Sequence, residues 1–215
     1  HVSGASAVVM SLGISEPDKV ESALKTGARK KGLKLKEGYG AGILDIGRTV
    51  QKITINSQFN KFLMAVIIVL ILFLLLMPRK RKTHRFWCNL LFPLGLVIGS
   101  SGFFFLRLFG WNNFPFNQFL LYGLPDWDKA FFGVNSHCNP IFFSALIPIL
   151  VGILLYKTPW ENLSIGVSLG VAGNLSYYLF VRPSDIRFIP GDILDRVWLL
   201  ISIIVLIFFS YLLIY

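Results

Sequence analysis

The pattern of apolar and polar positions divides the chain near Lys61: before it apolar residues come in short groups at helical spacing, after it in long unbroken runs. Val2 to Leu12 holds only apolar residues, Ala, Gly and Ser, which predicts a helix buried on all sides. A second helix is predicted after Gly13, with Ser15 as cap and Pro17 in the first turn. Glu16, Asp18 and Glu21 sit at its positive end, and Val20 and Leu24 form its apolar stripe. It ends between Gly27 and Gly32, where Lys25, Arg29, Lys30 and Lys31 suit a helix C-terminus. A third helix is predicted behind an Asp45 cap, with Ile46, Val50 and Ile53 on one face.

Phe62 to Met77 then gives sixteen residues without a charge or polar group. That is about 24 Å of helix, and a few flanking residues extend it to the roughly 30 Å of a bilayer's hydrocarbon layer. One such run also fits a buried core helix. Four more follow, at about 86–105, 141–156, 163–180 and 197–215, and together they predict five transmembrane helices. Composition agrees, with 54% apolar and 15% charged residues. The expected organisation is a segment 1–50, a linker 51–61 and a helical membrane domain 62–215.

Charge orients these spans. Arg79-Lys80-Arg81-Lys82 with Arg85 places five cations and no acid between the first two, the mark of a cytoplasmic loop. The N-terminal segment, the 111–139 loop and the 181–196 loop are then expected outside, and the 157–162 loop and the C-terminus in the cytoplasm. The basic stretch 19–61 breaks the pattern, but long segments translocate largely regardless of charge. Trp87, Trp160 and Trp198 fall near predicted span ends, where amphipathic rings collect; Trp111 and Trp127 lie in the outer loop. The net charge of +10 is split between the N-terminal segment and the juxtamembrane cluster, so the bilayer is the expected partner and nucleic acid is not. Cys88 and Cys138 are expected near opposite faces, too far apart to pair.

Three stretches of the first 50 residues resemble, in order, the closing part of subtilisin-like serine peptidases. His1-Val2-Ser3-Gly4-Ala5-Ser6-Ala7 is similar to the tail of the family's Gly-Thr-Ser-Met-x-x-Pro-His-Val-Ser/Ala-Gly box, the helix after Gly13 resembles the surface helix that follows it, and Tyr39-Gly40-Ala41-Gly42-Ile43-Leu44-Asp45 resembles the element that ends the catalytic domain. The resemblance implies a mainly α chain: the C-terminal remnant of an α/β subtilisin-like domain, followed by the membrane helices. It also implies Ser-His-Asp peptide hydrolysis with an oxyanion hole. No catalytic residue of that set is in this chain, and the nucleophile is expected five residues before His1. His1 matches a structural position and reads as a helix-start residue packed against its neighbours. The implied partners are an upstream peptidase domain and a protein or peptide substrate. A phosphate loop at Gly38, Gly40 and Gly42 is disfavoured, because no strand-like run precedes it and the spacing is not G-x-G-x-x-G.

Few residues of the membrane portion suggest chemistry of their own. They are Arg107, expected to snorkel to the outer interface; Asn174, which shares a face with Gly166, Gly170 and Tyr177 and suits helix packing; and an outer group of Asp126, Asp128, His137, Asp192 and Asp195. The absence of H-E-x-x-H and of Cys/His pairs at zinc spacing argues against a metal, and no cofactor is expected. The stretch 117–122, with Phe114 and Phe116 before it, is too short to span and is expected along the outer membrane face. Two functions remain open: a membrane-anchored extracytoplasmic endopeptidase, or a transporter, receptor or intramembrane enzyme whose spans do the work. Five spans exceed what an anchor needs, whereas unequal spans with one polar residue near mid-depth disfavour a transporter.

Overall fold

The computed structural model describes residues 1–30, 40–76, 90–109, 117–132, 138–181 and 185–214. The chain is mainly helical, with no strand among the described residues, and divides into two compact units, His1–Ser57 and Gln58–Tyr215. The basic cluster 79–85, Tyr39, Trp87, Cys88, Trp111, Phe114, Phe116 and His137 fall outside the described residues.

In the first unit, α1 (Val2–Ser11) packs against α2 (Pro17–Gly27). Burial on all sides is not what α1 shows. Ala5 and Val9, four apart, are buried, whereas Val2, Val8 and Met10 are 64%, 41% and 51% exposed. His1 stands at the helix start as expected, but exposed rather than packed. The N-cap of α2 is Glu16, not Ser15, and its side chain makes no capping bond. The reason is Pro17: as the first helical residue it holds the residue before it in extended backbone, so Ser15 lies one position too early. The helix ends at Gly27, where a Cβ would lie 1.9 Å from the Thr49 hydroxyl oxygen. Lys52 Nζ donates to the Thr26 carbonyl at 2.6 Å, satisfying one terminal acceptor.

An antiparallel bridge between Arg29 and Ile43, with N–O distances of 2.8 and 3.0 Å, returns the chain to the end of α2. Gly42 makes this possible. Its φ of +124° and a clearance that would put a Cβ 2.7 Å from the Arg29 carbonyl oxygen admit glycine alone without strain. Asp45 then caps the next helix as expected, its Oδ1 accepting from Arg48 N–H at 3.0 Å. That helix, α3 (Ile46–Leu76), is continuous. Residues 51–61, expected as a linker, are helical and contain the division between the two units, because no Gly or Pro interrupts the chain between Gly47 and Pro78.

In the second unit the central element is α8 (Glu161–Phe180), flanked by α4 (Leu91–Ser100), α7 (Leu146–Leu155) and α9 (Asp192–Ile214). Among the described residues three helices, α3, α8 and α9, are long and apolar enough to cross a membrane. The most apolar window of α8 is 83% buried, against 17% and 28% for α3 and α9, so α8 is the interior helix and the other two carry the outward apolar faces. Of the five spans expected, the described residues hold three helices of that length and composition. Within the runs expected at 86–105 and 141–156 the described helices are Leu91–Ser100 and Leu146–Leu155, about 15 Å each and half a bilayer. Local chemistry ends them early. After α4 the chain reverses at Gly102, φ +64°, where a Cβ would meet the Tyr122 and Leu120 carbonyls. Before α7, residues 139–143 are taken up by turns closing on the Asn139 carbonyl.

Glycine lets α4 and α8 touch backbone to backbone. A Cβ on Gly166 would lie 2.2 Å from the Phe92 carbonyl oxygen, and one on Gly170 2.5 Å from that of Leu96. Asn174 Nδ2 reaches the Ser100 carbonyl, 74 residues away, at 2.5 Å. The three contacts share that separation, so α4 and α8 run parallel. Three residues after Gly170, on a neighbouring part of the same side, Gly173 meets Ala65 of α3. This is the small-residue packing that suits helices in lipid.

Between α4 and α7 the chain forms a 3-10 turn (Phe104–Phe109), α5 (Asn117–Leu121), a second 3-10 turn (Leu124–Asp126) and α6 (Trp127–Phe132). The stretch expected to lie flat on the membrane is partly interior: Leu121 is 4% exposed and Leu120 47%. Cys138 is a free thiol, bridged through its backbone to Ile186.

Candidate functional site

Lys61 ends the polar part of α3 in sequence, yet its side chain is 2% exposed. Its Nζ donates to Asp126 Oδ2 at 2.5 Å and to the Tyr178 hydroxyl at 3.0 Å, and sits 4.5 Å from the Tyr178 ring centroid. Lys129 approaches from the other side, with Nζ 2.8 Å from Asp126 Oδ1 and 3.0 Å from the Tyr178 hydroxyl. Tyr178 in turn donates to Asp126 Oδ1 at 2.6 Å. Two ammonium groups, one carboxylate and one phenol thus close a ring at the junction of α3, α8 and the Leu124–Phe132 segment.

Each member is positioned by a local rule. Asp126 lies in a turn entered at Gly123, where a Cβ would fall 2.2 Å from the Ser100 carbonyl oxygen; only glycine brings the turn so close to α4. Trp127 secures the next residue by donating from Nε1 to the Phe119 and Tyr122 carbonyls at 2.9 and 3.1 Å. Lys129 then stands three residues after Asp126, on the same face. Asn174 and Tyr178, four apart on α8, share a face as well. The Asn174 amide is set by its surroundings: the groups within reach of Nδ2, the Ser100 carbonyl and Asp126 Oδ2 at 3.4 Å, are both acceptors, so the nitrogen faces them and Oδ1 is left buried without a partner among the described residues.

Electrostatics hold the ring charged. Burial opposes the charge on Asp126, but the ammonium groups of Lys129 and Lys61 outweigh it and keep its carboxyl far below the ordinary carboxylate range. Burial likewise opposes charge on Lys129, and Asp126 overcomes it, holding that ammonium well above its usual pKa. Asp128 is different: burial pushes it up, its Oδ2 accepts from Asn139 N–H at 3.2 Å, and its Oδ1 has no partner among the described residues. Cys138 nearby is pushed up to about 12, chiefly by burial and then by Asp128, so its thiol stays protonated.

This arrangement binds and fixes rather than transfers protons. Lys129 is held as a cation and not a nucleophile, the Tyr178 hydroxyl donates to Asp126, and its oxygen accepts from the Nζ of both lysines. Among the described residues no group of three His, Cys, Asp or Glu is placed to hold a metal.

Of the residues singled out in the sequence, Asp126 and Asn174 meet here. Asp128 turns to Asn139, Asp195 accepts from Ile186 N–H at 3.4 Å, and Asp192 is exposed in the first turn of α9. The Arg107 guanidinium lies 4.8 Å from the Tyr122 ring centroid, and its Nε is buried with no partner among the described residues. Lys61, Lys129 and Tyr178 were not anticipated. The available signals were the i, i+3 pair Asp126–Lys129 and the i, i+4 pair Asn174–Tyr178.

Helices of membrane-crossing length around an apolar interior that holds a buried ion cluster define a helical membrane domain. Its family is shown by the model "Domain of unknown function (DUF5942)", which matches residues 50–214; the chain belongs to that family. No curated protein matches the chain, and no solved structure does.

Proposed function

We propose that this chain is the closing part of a subtilisin-like serine endopeptidase domain joined to the membrane domain that holds it at the outer face of the bilayer. The order of elements in residues 1–50 carries the reading: a helix opening on His1-Val2-Ser3-Gly4, a second helix with Pro17 in its first turn, and the Gly40–Asp45 element leading to a capped helix. Two observations support it. Gly42 has a defined backbone duty at the Arg29 bridge, so the glycine of the resembling element is accounted for. Val2, Val8 and Met10 also give α1 an exposed apolar face of the kind a larger domain covers. Hydrolysis would be the work of upstream Ser, His and Asp residues, and this chain's contribution is to complete the domain and tether it. The test is serine-directed fluorophosphonate labelling of the natural full-length protein. Labelling at a serine five residues before His1 is expected. A natural sequence with no serine box there overturns the reading.

The proposed orientation has unit one outside and the C-terminus in the cytoplasm. Three helices of spanning length among the described residues do not alter it. Both ten-residue helices lie between α3 and α8 in the chain, so whether or not they cross as a pair the direction of α8 and α9 is the same. The parallel run of α4 and α8 agrees with both pointing outward.

A second reading is favoured by one observation. An ion cluster buried among spanning helices is costly and marks function by default, so the spans have a role beyond tethering. Replacing 62–215 with a single unrelated span decides between them: retained proteolysis of the natural substrate supports the anchor, and loss of it with an intact peptidase domain supports working spans.

A further inference from the structure

The segment between α4 and α7 exposes an unusual amount of aromatic surface beside one partly exposed cation. Phe131 and Phe132 are 59% and 58% exposed, and Leu120 47%. Phe119, Trp127 and Phe142 back them, with ring centroids 5.0 Å (Phe119–Phe131), 5.6 Å (Phe119–Trp127) and 5.8 Å (Phe131–Phe142) apart. Lys129 stands one helical turn before Phe132 on α6, and its side chain is 30% exposed whereas Lys61 and Asp126 are closed off.

Depth follows from α8. Tyr178 lies seventeen residues along the helix from Glu161, about 25 Å at 1.5 Å per residue, close to the far edge of a roughly 30 Å hydrocarbon layer. Lys129 is hydrogen-bonded to Tyr178 and therefore sits at that edge, where lipid phosphates lie. Charge adds to depth. The Asp126 carboxylate is bonded to both Lys61 and Lys129, while Asp128 acts on Lys129 through space and gives its hydrogen bond to Asn139 N–H as acceptor. Of the three Lys129 N–H groups, two go to Asp126 and Tyr178. The third is left for an acceptor on the exposed side.

We propose that this surface is a binding site for an anionic phospholipid: Lys129 takes the headgroup phosphodiester while Phe131, Phe132 and Leu120 lie against the upper acyl chains. Aromatic side chains suit this level of the bilayer, and a cation beside anionic lipid adds to affinity. The inference rests on α3, α8 and α9 spanning a membrane and not on the peptidase reading.

Two measurements test it on the full chain. In native mass spectrometry from mixed phosphatidylglycerol and phosphatidylcholine, wild type is expected to retain phosphatidylglycerol selectively. Lys129→Gln should weaken retention about fivefold, in line with one cation near the surface, and Lys129→Arg should restore it. Equal retention by wild type and Lys129→Gln overturns the proposal. So does displacement of the lipid by inorganic phosphate at equal concentration, which marks a free-anion site. The second measurement leaves the ion cluster intact: a fluorophore at Phe132→Cys in vesicles is expected to be quenched by lipids brominated near the headgroup. Quenching by aqueous iodide alone, or by neither because protein covers the face, overturns it.

Discussion

Asp126 is the residue on which the buried ring depends, because it alone among the ring's members carries negative charge. Asp126→Ala strands Lys61 and Lys129 beside each other in a dry site, and should lower stability by about 3–5 kcal/mol, the usual cost of breaking a buried ion network at one partner. Replacing all three together, Lys61→Met with Asp126→Leu and Lys129→Met, should return to within about 1 kcal/mol of wild type, since the desolvation cost disappears with the charges. Thermal unfolding in detergent separates the two outcomes. The pH dependence follows from the same groups. Asp126 has its pKa depressed by folding, so its contribution is present above its ordinary value of 3.8 and is lost as pH falls through the lower folded value. Lys129 has its pKa raised, so its contribution is complete below 10.5 and is lost as pH rises through the folded value. A plateau between those limits is expected, with an acid-side gain from Asp128, whose raised pKa makes its ionised form the less stable one. Asp128→Asn should remove that gain. In the sequence Asp126 and Asn174 stood out because polar groups are scarce there. Lys61 did not, because a lysine at the start of an apolar run reads as a boundary marker until tertiary packing closes over it.

Helices were legible as elements wherever periodicity or a cap was explicit: α2 from Pro17, the Asp45 cap, and the cores of α3, α8 and α9. Lengths were less so. Hydropathy records apolar residues whether or not they are helical, and it cannot register the reversal at Gly102 or the turns after Asn139 that shorten α4 and α7. Contacts between elements give sharper predictions. Gly170→Leu drives a side chain into the α4 backbone, where a Cβ alone would lie 2.5 Å from the Leu96 oxygen. A loss of at least about 1–3 kcal/mol, typical of overpacking, should appear as a lower melting temperature. Gly4→Ala, with nothing within 4 Å of the added carbon, should be neutral or slightly stabilising in the same assay, as helix propensity dictates. Gly42→Ala should destabilise unit one through its positive φ and the Arg29 carbonyl, and amide hydrogen exchange at Ile43 should report it as faster exchange.

For the molecule as a whole, the change of composition near Lys61 lies close to the division between the two units at Ser57 and Gln58, although the continuous helix across residues 51–61 was not legible, since polar residues there disguised its regularity. The proposed orientation predicts a labelling pattern. With a membrane-impermeant thiol reagent on intact cells, Ser22→Cys and Asp192→Cys should react, whereas Lys157→Cys should react only after permeabilisation; the reverse pattern would invert the topology. The parallel pairing of α4 with α8 bears on how the chain is made. A ten-residue helix cannot settle in a bilayer alone, and its glycine face has no partner until a segment 74 residues later emerges. At about 5–20 residues per second of synthesis, that is a wait of roughly 4–15 seconds. During this interval the glycine face of α4 lacks the helix that covers it in the folded protein.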